Sequence, residues 1–284
     1  HSLMVLRSLA AMDDAAVVTY AGGLYSGATT IAITGSQAGV LAAEDMTITT
    51  GGGADDVTIT AASFVGHAST GGSFVVSTGA GADAISVETG TLLHSSAAIA
   101  VTLTGGTGAD TFTKVGVNDG SITSDGFGKV VFTIADGDSL TSGRDVITGF
   151  DLATANLVSD TLDFVSVGTV LNGGASNGTD SGSILSHSTA TGIITFDDAD
   201  TFATAIVINS GNLSDVSSYL TANLTTAGTT VAFLYDSTGS GTNDATMVFN
   251  AGVGANDSLV ELVGVLSTSL SATNAATNLM IDVS

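Results

Sequence analysis

The amino-acid sequence predicts an all-β protein: a right-handed parallel β-helix or β-roll, followed by a β-rich C-terminal cap with one short helix. Three observations point there. The composition favours short strands and tight turns, with 37 Gly, abundant Thr and Ser, and only 5% aromatic residues. Hydrophobic residues make up 44% of 284 positions, so the chain can bury a core and is not a disordered acidic tail. Finally, a strand–turn–strand unit recurs with a period of 27 or 28 residues.

The repeat aligns without gaps as Thr50-Gly-Gly-Gly-Ala-Asp55-Asp-Val57, Thr78-Gly-Ala-Gly-Ala-Asp83-Ala-Ile85 and Gly105-Gly-Thr-Gly-Ala-Asp110-Thr-Phe112. A strand-like run precedes each turn (Met46–Thr49, Ser73–Ser77, Ile99–Thr104). An alternating run follows each one (Val57–Ile59, Ile85–Val87, Phe112–Val115). Thr30–Thr34, followed by Gly35-Ser36, reads as an earlier coil that lacks the aspartate. Equivalent turns of a parallel coil stack about 4.8 Å apart, which places Asp55, Asp83 and Asp110 in one column. Carboxylates at that spacing repel one another unless a cation lies between them. The paired glycines, Gly51 and Gly53, Gly79 and Gly81, Gly106 and Gly108, let backbone carbonyls turn inward through φ > 0. Carbonyl and aspartate oxygens together suit Ca²⁺, which takes roughly six to eight oxygen ligands.

The charge balance agrees. Lys and Arg total 4 against 27 acids, a formal charge of −23. Only Glu44, Glu88 and Glu261 are glutamates, and the short side chain of Asp suits turns and oxygen cages for hard cations. Solubility alone is the plainer reading of such a surface. The charge balance argues against nucleic acid and anionic lipid as electrostatic partners, because the chain has no basic surface to offer them. Cysteine is absent, so stability has a source other than disulfides. No apolar run approaches the ~20 residues of a transmembrane segment. The opening stretch, residues 1–16, is apolar with one Arg and has no clear cleavage site. It reads either as the point where a longer parent chain was cut or as a small leading helix. The expected organisation is a leading segment (1–20), calcium-binding coils (21–135) and a C-terminal region (136–284).

Gly105-Gly-Thr-Gly-Ala-Asp-Thr-Phe-Thr113 fits the G-G-x-G-x-D-x-U-x nonapeptide at every defined position, and the other two copies differ only in Thr for the first Gly. The sequence thus resembles the calcium-binding RTX proteins, particularly their S-layer-like and adhesin-like members. It departs from them in that the nonapeptides do not run in tandem. A period near three nonapeptides implies a wider coil with one calcium-binding edge. The run from Asp136-Gly-Asp138 through Arg144-Asp145-Val-Ile-Thr-Gly-Phe150-Asp151 to Asp160-Thr-Leu-Asp163-Phe164 resembles the segment that closes many RTX rolls. That resemblance implies further calcium ligands at Asp136, Asp138, Asp145, Asp151, Asp160 and Asp163. The alternative for each is a turn or strand-end Asp capping backbone amides.

Further on, Leu213, Val216, Tyr219, Leu220 and Leu224 recur at helical spacing after a candidate cap at Asn212. Strands are expected at Thr229–Tyr235, Thr246–Asn250, Leu259–Val265 and Leu279–Val283. The loop from Asp236 to Asp244 reads as a Gly-rich hairpin connection or a further cation loop. Helix, loop and strand together resemble the C-terminal part of type I-secreted surface proteins, whose export signal is not cleaved.

Catalytic constellations are missing. Gly174-Ala-Ser176-Asn-Gly178 matches G-x-S-x-G in form, but it reads as loop and lacks the strand before and helix after that a nucleophile elbow requires. His1, His67, His94 and His187 are far apart and form no zinc-spaced pair. With no Trp and few aromatics, little is available for stacking sugars. The expectation is therefore a secreted, non-enzymatic protein: a structural subunit of a bacterial S-layer-like lattice, exported unfolded and folded by extracellular Ca²⁺. Its expected partners are other copies of itself and cell-surface polysaccharide or lipopolysaccharide. The same motifs fit the C-terminal calcium-binding and secretion module of a larger RTX adhesin, toxin or protease, and that alternative stays open.

Overall fold

The structure, a computed structural model, describes residues 2–7, 16–35, 43–61, 72–88, 99–115, 130–135, 137, 143–152, 159–166, 169–254, 256–275 and 278–283. Strands dominate, with one helix among the described residues. The chain divides into two compact units, 1–133 with 148–161, and 134–147 with 162–284.

The first unit contains β1 (Ser2–Arg7), β2 (Ala16–Ala21), β3 (Thr29–Gly35), β4 (Ala43–Thr49), β5 (Asp56–Ala61), β6 (Gly72–Ala80), β7 (Ala84–Glu88), β8 (Ile99–Thr107), β9 (Thr111–Val115) and β10 (Val130–Ile134). From β2 onward the chain alternates between two sheets. One runs β1-β3-β5-β7-β9 and the other β2-β4-β6-β8-β10, with parallel pairing throughout. Alternation within each strand sends every second side chain inward, and parallel register stacks these into columns. Ile31, Val57, Ile85 and Phe112 are successive partners in one column; Met46, Phe74, Val101 and Val130 form another. All eight are buried, each contributing about 1.5–3 kcal/mol for the larger side chains. Phe112 of one sheet meets Phe132 of the other edge to face, with centroids 5.5 Å apart, so the two inner faces share a core. The leading helix considered for residues 1–16 is not found where the structure describes them: Ser2–Arg7 is a strand paired with β3. The open edge of β3 offers its backbone groups a parallel partner, and tertiary pairing overrides the local helix preference of Leu and Met.

The second unit holds most of β11 (Asp145–Thr148) and β12 (Thr161–Phe164), then β13 (Gly174–Ser181), β14 (Ile184–Ala190), β15 (Ile193–Asp197), α1 (Leu213–Asn223), β16 (Thr230–Tyr235), β17 (Ala245–Asn250), β18 (Ser258–Val263), β19 (Leu270–Ala275) and β20 (Asn278–Val283). Its strands are ordered β11-β18-β17-β16-β15-β14-β13 and β19-β20-β12. Pairing is antiparallel through β16-β17-β18 and β13-β14-β15, with a single parallel contact between β15 and β16. The helix buries Leu213, Val216, Tyr219 and Leu220 in a cluster with Ile184, Phe196, Phe233, Met247 and Phe249. Phe196 meets both Tyr219 and Phe233 in T-shaped contacts.

Both ends of α1 are tied to the β13–β14 hairpin. Ser183 donates its backbone N–H (2.9 Å) and hydroxyl (3.0 Å) to Asp215 in the first turn. Near the other end, Asn223 accepts from the Thr179 N–H at 2.7 Å and donates to the Thr179 carbonyl at 3.0 Å. Asn212 does stand at the N-cap, but its side chain does not cap the helix. Its Oδ1 accepts from the Asn209 N–H instead (2.8 Å). The G-x-S-x-G segment, expected as loop, is strand β13, the outermost strand of its sheet, with Ser176 exposed. No helix follows it directly, since Gly182 turns the chain into β14.

His187 is buried on β14, its Nδ1 paired with the Tyr219 hydroxyl at 2.8 Å. Burial lowers its pKa below the ordinary 6.5, so the folded state holds the neutral ring and binds fewer protons than the unfolded chain. The stability linked to this group is therefore complete above the unfolded value and lost as pH falls from 6.5 toward the lower folded value. Thermal melts of the second unit between pH 7 and pH 5 should show falling stability, and His187→Gln should flatten that slope. Parallel slopes for the two proteins would remove His187 as the source.

Candidate metal site

The three Gly–Asp turns connect β4 to β5, β6 to β7 and β8 to β9 on one edge of the first unit. Their glycines are dictated by stacking. Gly53, Gly79, Gly81, Gly106 and Gly108 all have positive φ, which L side chains rarely adopt. A Cβ on Gly79 would also overlap the carbonyl oxygen of Gly51, and one on Gly106 that of Gly79. The same holds for Gly81 over Gly53 and Gly108 over Gly81. Backbone hydrogen bonds continue the ladder through the turns, from Gly53 N–H to Ala80 O (2.7 Å) and from Gly81 N–H to Thr107 O (2.9 Å). Thr50 donates its hydroxyl to Thr78 O (2.8 Å), and Thr78 does the same to Gly105 O (2.9 Å). In the third copy a side chain at this place would strike the Asp110 carboxylate, which explains Gly105 there.

The aspartates stand in one buried column, each 1–2% exposed. Asp55 Oδ1 accepts from the Thr29 N–H at 2.5 Å, Asp83 Oδ1 from the Asp55 N–H at 2.7 Å, and Asp110 Oδ1 from the Asp83 N–H at 2.9 Å. Each carboxylate thus caps the amide at the equivalent place in the preceding turn, and Thr29 is the aspartate-free start of the series. The second oxygens of Asp55 and Asp83, with Thr29 Oγ1, are buried and have no hydrogen-bond partner. Desolvation raises the pKa of Asp83, the Asp55 N–H and the nearby Thr78 hydroxyl oppose that rise, and the Asp55 charge adds to it; the Thr78 hydroxyl itself donates to Gly105 O. Two buried, unpartnered carboxylate oxygens on adjacent rungs are hard oxygen donors, the kind of ligand that a hard cation such as Ca²⁺ takes. Among the described residues no three His, Asp or Glu side chains converge as a carboxylate cage, so such an ion would draw on backbone carbonyls as well.

The other predicted ligands are placed differently. Asp136 and Asp138 lie outside the described residues. Asp145 is buried at the start of β11, and Asp163 is half-buried within β12. Asp151 and Asp160 do not face an open cation site: both hold the ammonium of Lys114, each at 2.7 Å. Asp160 also accepts from the Val130 N–H (2.8 Å) and the Asp151 N–H (2.9 Å). A buried ammonium requires close counter-charge, so these two carboxylates are committed. Lys114 escaped the sequence reading, although its position was legible: it lies two residues after the inward Phe112 on the same strand face. The Asp236–Asp244 loop satisfies its carboxylates internally. Asp236 accepts from the N–H groups of Ser240 (3.0 Å) and Gly241 (2.6 Å), and Asp244 from the N–H of Ser237 and the hydroxyl of Thr238 (both 2.7 Å). These bonds, led by that of Thr238, hold Asp244 below the usual carboxylate range.

No family model, curated protein or solved structure matches this chain.

The stacked turns make a direct prediction. Gly79→Ala combines a positive φ with a backbone overlap and should cost about 3 kcal/mol. Gly239→Ala has a positive φ but nothing within 4 Å of its Cβ, and should cost about 1 kcal/mol. Urea midpoints for the two variants would separate them, and equal losses would show that close stacking of the turns is not what selects glycine.

Proposed function

We propose that the first unit is a right-handed parallel β-roll whose Gly–Asp edge is closed by Ca²⁺, and that the protein is a structural subunit of a bacterial cell-surface lattice. The observation that carries this reading is the buried column Asp55–Asp83–Asp110, in which Oδ2 of Asp55 and Asp83 lack hydrogen-bond partners. Neighbouring carboxylates one rung apart repel by about 3 kcal/mol at an effective dielectric near 20. Asp55 and Asp83, with carbonyls of the glycine turns, would hold the ion. Ca²⁺ held there would supply the positive charge that neutralises the stacked carboxylates. Without it the rungs repel, which suits a chain exported unfolded and folded where calcium reaches the roughly millimolar range. Self-assembly is favoured by a sequence with very few Lys to guard its edge strands. An exposed apolar spot at the first turn, Leu24 beside Tyr25, points the same way.

Calcium titration followed by circular dichroism should show β structure rising and hydrodynamic radius falling with added metal. Asp83→Ala should shift the midpoint upward by about tenfold, equivalent to about 1.4 kcal/mol, while Asp244→Ala leaves it nearly unchanged. Coincident midpoints, or a spectrum indifferent to chelator, would overturn the calcium edge. Light scattering of the calcium-loaded protein tests the lattice separately: large ordered particles support it, and a monodisperse folded monomer would favour an export module instead.

A further inference from the structure

We propose that Lys114 and Asp160 condense into an intramolecular amide cross-link, with Asp151 carrying the protons. This assignment is independent of the calcium edge. Lys114 follows Ile33, Ile59 and Val87 as successive partners in one column, and its side chain is fully buried. The Asp160 side chain is likewise fully buried, while that of Asp151 is 15% exposed. Nζ of Lys114 lies 2.7 Å from Oδ2 of each aspartate. An amine and a carboxyl held in contact, with water excluded, react as one molecule rather than two.

The remaining contacts match the needs of the reaction. As Nζ adds to Cγ of Asp160, negative charge gathers on Oδ1, where the Val130 N–H already donates at 2.8 Å. The Asp151 N–H donates to Oδ2, the departing oxygen, at 2.9 Å. The new bond is Nζ–Cγ and the broken bond is Cγ–Oδ2. Of the three ammonium protons, one stays on the amide nitrogen and two end on Oδ2, which leaves as water. The Asp151 carboxylate relays those protons and finishes as it began, with its exposed edge giving the water a way out. Burial raises the Asp160 carboxyl above its ordinary value despite the pull of Lys114, favouring the protonated form that departs as water. Condensation also removes a buried charge pair, whose desolvation is the main cost of the site. The product ties β9 to Asp160, the residue before β12, across a separation of 46 residues and within the first unit, a closure that restricts the unfolded chain.

The test is the intact mass of the full chain after denaturation. One water less than the sequence mass is expected. Trypsin should then spare Lys114 and release a branched product joining the segment that contains Lys114 to the one that contains Asp160. Asp160→Ala should restore the full mass, and Asp151→Ala should slow the loss of water severely. An unmodified native mass, or cleavage after Lys114 in the denatured native chain, would overturn the cross-link whether or not the variants fold. Water loss in Asp151→Ala at the native rate would overturn the role given to Asp151.

Discussion

The first unit depends on one interaction, the hydrogen bond from each turn amide to the aspartate carboxylate of the next turn. The N–H groups of Thr29, Asp55 and Asp83 all find their acceptor this way. A buried amide without an acceptor costs about 1–3 kcal/mol, so the column is required at a place where the chain leaves one sheet for the other. Meeting that requirement with carboxylates places like charges one rung apart. Glycine is the other half of the constraint. Only residues without a Cβ let carbonyls of one turn rest on the backbone of the next, as Gly51 does on Gly79 and Gly79 on Gly106.

Much of this was legible because a parallel stack is written periodically. A period of 27 or 28 residues fixes which strands pair, and the observed partners Val57, Ile85 and Phe112 are those that the alignment of the turns implies. The helix was legible from Leu213, Val216, Tyr219 and Leu220, since helical spacing is a local signal. Within the second unit β16, β17, β18 and β20 are legible in the sequence, but β14, β15 and β19 are not, nor is the strand order, because antiparallel neighbours such as β17 and β18 carry no repeat to align. β13 does not look like a strand in sequence, for a physical reason. Its residues are small, polar and mostly exposed, and it is a strand because β14 and α1 supply partners rather than through its own propensity.

The site was half legible for a related reason. Sequence spacing locates aspartates in a column, but it does not say what each oxygen touches. One oxygen of each turn aspartate caps an amide, which was weighed for the later aspartates and holds for the repeat ones too. The type and spacing of Asp151 and Asp160 suggest metal ligands, yet a single inward lysine from another strand claims both. Alternation in Thr111–Val115 marks Lys114 as inward as clearly as Phe112. The signal was present in the strand, while its partners came from 37 and 46 residues further along the chain.

The distribution of positive charge separates the two kinds of acidic site. The chain has only 4 basic residues against 27 acids, and both basic side chains described in detail are already engaged. Lys114 is held by Asp151 and Asp160, and Arg144 by Glu261, with the guanidinium also lying over the Tyr235 ring. Where the fold buries charge next to its own cation, the pairing is built in and independent of solution composition. Asp55 and Asp83 are as deeply buried, but the donors around them are neutral, backbone amides and at Asp83 the Thr78 hydroxyl, which satisfy an oxygen without cancelling its charge. Burial works against that charge at Asp83, whose carboxyl it raises above its ordinary value, and on the proposed reading a divalent cation from solution would supply the neutralisation that the fold does not.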